Sequence, residues 1–137
     1  YSDALYQLYK HKDAGSYIKA MNEMFNRLGD KASSTDFGKA AQDLYYAAGS
    51  KLTADQHRQA IQWVEKALQS EVSVMDRVNF LVMIGDSYRE LKNYSKAREY
   101  YNQAYAESLQ MAKQEAAQQM IQVAVMRKLS ALELLEK

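Results

Sequence analysis

Residues 83–104 read MIGDSYRELKNYSKAREYYNQA. Two small residues, Gly85 and Ser87, lie in a run whose apolar side chains recur at three- and four-residue spacing, and the run admits two readings. Either Ser87 stands exposed on a sharp turn as a nucleophile, or Gly85 marks a point where two helices press together. The flanking residues favour the second. Ile84, Tyr88 and Leu91 extend upstream through Leu81 and Val78 as one helical stripe, which leaves no strand to precede the serine. Asn93, a residue type that caps helices by accepting a backbone N–H, then opens a second helix carrying Ala97, Tyr101, Ala104 and Tyr105.

Counted from Val78 as position 1, the pattern is Leu81 at 4, Ile84 at 7, Gly85 at 8, Tyr88 at 11, Ala97 at 20, Tyr101 at 24 and Ala104 at 27. This resembles the tetratricopeptide repeat, with Leu81 for the usual Trp and Leu109 at position 32 for the usual Pro. The spacing has a physical cause: small residues at 8, 20 and 27 allow two antiparallel helices to approach, and bulky ones at 4, 7, 11 and 24 fill the space beside those contacts.

The same test applies to the rest of the chain. Ala60, Val64 and Ala67 reproduce positions 20, 24 and 27 and Ala48 fits 8, but Lys51 stands where the repeat has Tyr, so a remodelled turn is expected there. Ala20 and Met24 match in a first pair, where Arg27 occupies a small position and implies different packing. The resemblance implies an all-α, tetratricopeptide-like right-handed helical solenoid. Its three helix-turn-helix pairs cover residues 2–28, 36–69 and 73–109, and a long capping helix follows over 111–137, all in one domain. Gly49 is expected to close a helix in the left-handed conformation, and Thr53 with Gln56 reads as a capping box.

Composition agrees. No proline, five glycines and abundant helix formers among 137 residues leave little for strands. The net charge of +1 supplies no field toward nucleic acid or an anionic membrane, and no apolar run approaches the ~18 residues of a membrane span. The chain begins with Tyr1 rather than Met, as a processed chain or an excised piece of a longer protein would.

Catalytic readings lack their parts. Gly85-Asp86-Ser87 resembles the opening of the nucleophile block of one serine-esterase family, but that family carries its His late, in an Asp-x-x-His block, and this chain has only His11 and His57, both upstream. No cysteine and two isolated histidines give no metal-ligand set, and His57 is expected as a first-turn surface residue. Gly29 and Gly49 end helices rather than cradle phosphates. No catalytic residue, metal ligand or cofactor is therefore assigned. Tyr88, Tyr94 and Tyr101 fall on packing positions, while Lys92, Lys96 and Arg98 interleave with Glu90 and Glu99 as a solvated surface.

The resemblance implies a non-catalytic scaffold that binds a protein or peptide in a concave groove formed by the first helices of the pairs. The groove residues assigned are Tyr9, Tyr45, Val82, Asp86 and Arg89, with no nucleic acid and no membrane as partner. At positions 2, 5, 9 and 12 the best-matched repeat carries Asn79, Val82, Asp86 and Arg89, and Asp86 is expected to repel a C-terminal carboxylate of the kind some tetratricopeptide domains clamp. The stripe Ile121, Val125, Leu129 and Leu132 would cover the third pair, leaving further apolar residues of the last helix for self-association or a contact with another domain. The alternative is an accessory helical domain that positions a catalytic domain. The segments AIQWVEKAL and KAREYYNQAYAES are similar to helical repeats attached to thioredoxin-like exported proteins of Bacteroidetes-type bacteria.

Overall fold

A computed structural model describes residues 2–111 and 115–136. The helices are α1 (Ser2–His11), α2 (Ala14–Leu28), α3 (Ser34–Ala48), α4 (Ala54–Ala67), α5 (Val74–Glu90), α6 (Tyr94–Ser108) and α7 (Glu115–Glu136), with 3₁₀ turns at Gly29–Lys31 and Gly49–Lys51. No strand occurs among the described residues. The fold is an all-α, tetratricopeptide-like set of helical pairs, packed as two compact units that divide between Ser70 and Glu71.

In the first unit, α1 packs on α2 and α3, and α3 on α4. Fully buried Ala40, Ala41 and Ala60 keep the backbones of α3 and α4 close. Bulk comes from an aromatic cluster: the Trp63 ring meets Tyr17 and Phe25 edge-on at centroid distances of 6.4 and 5.8 Å, and Phe25 lies 4.1 Å from Phe37. Trp63 is thus the centre of this core. An amide bridge from Asn22 to Gln59 (3.0 Å) ties α2 to α4 beside it.

Local chemistry sets the helix ends. Asp13 caps α2 by accepting the Ser16 N–H (3.0 Å) and hydroxyl (2.7 Å), and these bonds, the backbone one foremost, hold its carboxyl below the usual range. Reciprocal capping boxes start α3 (Ser33 with Asp36) and α4 (Thr53 with Gln56), so α3 begins two residues before the expected boundary at 36.

Two sequence expectations are corrected here. Gly49 is right-handed (φ −53°) and continues α3 into a 3₁₀ turn that leaves Lys51 exposed, whereas Gly29 is the glycine with positive φ (54°). His57 is 4% exposed. It lies one turn before Ala60 and Ile61 on the inward stripe of α4, so its place in the first turn does not bring it to the surface.

The second unit is built on α5 and α6, which pack along their lengths, and on α7, which lies against α6. Val78, Leu81 and Ile84 of α5 meet Ala97, Tyr101 and Ala104 of α6 as the core, and Arg77 pairs with Glu107 across them (2.9 Å). A Cβ on Gly85 would stand 2.5 Å from the Tyr101 ring, so the small residue at this position is a packing requirement.

The last helix is shorter than the expected 111–137 span. Leu109, Gln110 and Met111 close a turn onto the carbonyls of Ala106, Glu107 and Ser108, Met111 is buried, and α7 runs from Glu115; residues 112–114 lie outside the described residues. Val125 and Leu132 are fully buried with Ile121 and Leu129 half-buried beside them, so the expected stripe covers the pair.

The α5–α6 turn places Lys92 in the left-handed region (φ 62°), with the Asn93 N–H reaching back to the Tyr88 carbonyl (2.9 Å), as in a Schellman ending where glycine is favoured. Lys92→Gly is therefore expected to stabilise the protein by about 0.5–1 kcal/mol, relief of the side-chain clash outweighing the added chain entropy. Urea unfolding checks it; an unchanged or lower midpoint contradicts it. Gly85→Ala is expected to cost about 1–2 kcal/mol, because overpacking against Tyr101 exceeds the gain in helix propensity. In a Tyr101→Leu background the same change becomes neutral or favourable, which a double-mutant cycle reads directly.

Candidate functional site

Val82, Asp86 and Arg89 recur at four- and three-residue intervals and share one stripe of α5, each half-buried. Asp86 is the centre of a polar cluster. Its Oδ1 accepts the Tyr101 hydroxyl at 2.5 Å and the Lys128 ammonium at 2.8 Å, and the Arg89 guanidinium stands 3.6 Å away. Arg89 also donates to the Tyr101 oxygen (3.4 Å) and extends its other nitrogen toward exposed Glu90 (3.5 Å). The cluster follows from burial. Tyr101 fills the space over Gly85 and is inaccessible to solvent, so its hydroxyl needs an acceptor, and a carboxylate accepting there needs nearby cations.

Burial first, and then the Asp86 carboxylate, push the Tyr101 phenol well above its ordinary value of 10.0. The lone-carboxylate expectation changes accordingly. Asp86 is matched by two cations, so the repulsion of a partner carboxylate expected from sequence is offset at this position.

Lys128 belongs to α7, and three further contacts fasten that helix. Gln118 donates to the Ser108 carbonyl (2.9 Å) and Gln122 to its hydroxyl (3.3 Å), while Arg98 pairs with Glu136 at the far end. Of the basic trio near the α5–α6 turn, Arg98 is thus engaged with α7, Lys96 lies over the Tyr88 ring (5.3 Å), and Lys92 is exposed. Tyr88 stacks on Tyr100 at 5.6 Å.

In the first unit Tyr9 is exposed on α1, and its hydroxyl donates to Asp43 of α3 (3.2 Å). Partial desolvation, the Asp43 carboxylate and the nearby Tyr46 phenol raise its ionisation above the ordinary phenol value. Tyr45 is half-buried and lies two residues from Asp43, roughly 200° around the helix. Tyr46, close enough for its phenol to act on Tyr9, is a neighbour that the sequence reading did not select.

Ser87, the nucleophile candidate, is mid-helix in α5 with no exposed surface, and its unit contains no histidine. Among the described residues no group of three His, Cys, Asp or Glu side chains is placed to hold a metal ion, and no helix is long and apolar enough to cross a membrane.

The tetratricopeptide repeat family model matches residues 78–109, which fall on α5 and α6. Residues 78–109 thus match a tetratricopeptide repeat, and the Gly85–Tyr101 crossing lies within them. No curated protein and no solved structure matches the chain.

Tyr101 predicts a signature at high pH. Its folded-state ionisation lies above the unfolded value, so its contribution is complete below pH 10.0 and lost as pH rises further. Stability is expected to fall above that point with Tyr101 ionising only on unfolding, and Tyr101→Phe should flatten the decline. Urea midpoints from pH 9 to about 11.5 measure it; equal slopes in the two proteins would remove the assignment.

Proposed function

We propose that the protein is a non-catalytic scaffold that binds a protein or peptide partner through the first helices of its pairs. Tetratricopeptide repeats are protein-interaction modules and generally non-catalytic, and the observation that carries the reading is the repeat at residues 78–109 with its Gly85–Tyr101 crossing intact. The contact residues proposed are Val82, Asp86 and Arg89 on the second unit and Tyr9 and Tyr45 on the first, with Tyr46 beside Tyr9.

Their chemistry suits a peptide. Val82 offers a small apolar contact, Arg89 a guanidinium whose side chain is 27% exposed, and Tyr9 and Tyr46 exposed rings with polar ends. Such amphipathic groups bind main chain and side chains without a large ordering cost. Ser87 supports the same reading from the other side, since a fully buried hydroxyl does not meet a substrate.

Selection of a random peptide library on the whole chain, followed by titration of enriched peptides, tests this. Arg89→Gln and Tyr9→Ala are expected to weaken binding at least tenfold, about 1.4 kcal/mol, with helical circular dichroism unchanged. Enriched peptides that bind both variants as tightly as the parent would refute the assigned residues, and no enrichment at all would refute the scaffold.

A further inference from the structure

Helix α7 has a second apolar stripe that its own unit leaves uncovered. Met120 and Leu134 are 74% and 73% exposed, and Val123 and Met126 are each 51% exposed. With Tyr105 of α6 and the small residues Ser130 and Ala131, part of this stripe bounds a shallow, mainly apolar cleft of about 640 Å³. A solvated helix face does not carry four large apolar side chains over four turns. Such a face has the composition of a helix–helix interface.

The stripe is complementary to its own reverse. Laid antiparallel about a two-fold axis between residues 128 and 129, two copies of α7 set Val123 against Leu134, Met126 against the small Ala131, and Arg127 against Ser130. Each pairing occurs twice, as an isologous contact requires. Large residues meet small ones at the centre, which lets the backbones approach. In the same register Arg127 comes within one turn of Glu133 of the second copy. Both residues are exposed, and neither has an ion-pair partner among the described residues. A parallel arrangement would instead put Arg127 beside Arg127 and Glu133 beside Glu133, a repulsive pairing.

We propose that this face binds a second copy of the same chain, forming an antiparallel α7–α7 dimer through Val123, Met126, Ala131 and Leu134 with reciprocal Arg127–Glu133 ion pairs. A membrane surface is a poorer occupant, since the centre of the stripe offers Arg127 as its one cation where interfacial helices carry many. Four helical turns from each copy make a small interface beside the ~1,600 Å² of a standard one, so dissociation in the range of about 10–100 µM is expected.

Sedimentation velocity of the whole chain from about 5 µM to 1 mM should show a reversible monomer–dimer equilibrium. Ala131→Glu, an exposed change that leaves the core of the unit untouched, should give a monomer with unchanged helical content. Arg127→Glu and Glu133→Arg should each weaken the dimer at least tenfold, and the two together should restore it. Because the natural chain has no cysteine, a Met126→Cys copy mixed with an Ala131→Cys copy should form a disulfide faster than Met126→Cys alone. A chain that stays monomeric at 1 mM, a dimer indifferent to these changes, or preferential Met126→Cys self-linking would each overturn the proposal. So would partition of the monomer onto anionic vesicles that Ala131→Glu abolishes, since that assigns the stripe to lipid.

Discussion

The ring of Tyr101 lies against the backbone of Gly85, and much of the second unit follows from that contact. Because Gly85 has no Cβ, α5 and α6 approach closely enough to enclose the ring. Enclosing a tyrosine brings a hydroxyl into the interior, where it must be paired, and Asp86, one residue from Gly85, supplies the acceptor. The half-buried carboxylate in turn draws Arg89 from its own helix and Lys128 from α7. A steric requirement at one backbone position thus becomes an electrostatic one, met in part by Lys128 of the docked α7.

The first unit meets the same geometric need by different means. Alanines at 40, 41 and 60 let α3 and α4 approach, and Trp63 with Tyr17, Phe25 and Phe37 supplies the volume that repeat tyrosines supply elsewhere. Its ties between helices include the amide pair Asn22–Gln59 and the hydrogen bond from Tyr9 to Asp43. Arg27 and Lys51, at positions the repeat reserves for a small residue and a tyrosine, are both exposed at helix ends. The family pattern fades here because the aromatic cluster has taken over its packing role.

How much could be read from the residues differs by type of signal. Helix existence, the α5–α6 pair and the inner stripe of α7 follow from apolar periodicity and from the sizes at Gly85, Ala97, Tyr101 and Ala104, so sequence places them well. Asp86 was visible as a stripe residue, but its ion pair with Lys128 joins positions 42 residues apart and depends on how α7 docks. No spacing rule reports that. His57 was misjudged because polarity suggested the surface while its phase, shared with Ala60 and Ile61, put it inside. Gly49 was misjudged because a glycine at a helix end permits the left-handed conformation without requiring it.

Asp86 serves two surfaces at once. Its carboxylate meets Arg89 on the α5 stripe and Lys128 on α7. A partner on the proposed α5 stripe that weakened the Asp86–Lys128 pair would, by linkage, bind more tightly where that pair is absent, the two effects being equal in free energy. The capping helix would then be a second input to the repeat it covers, through one shared oxygen atom.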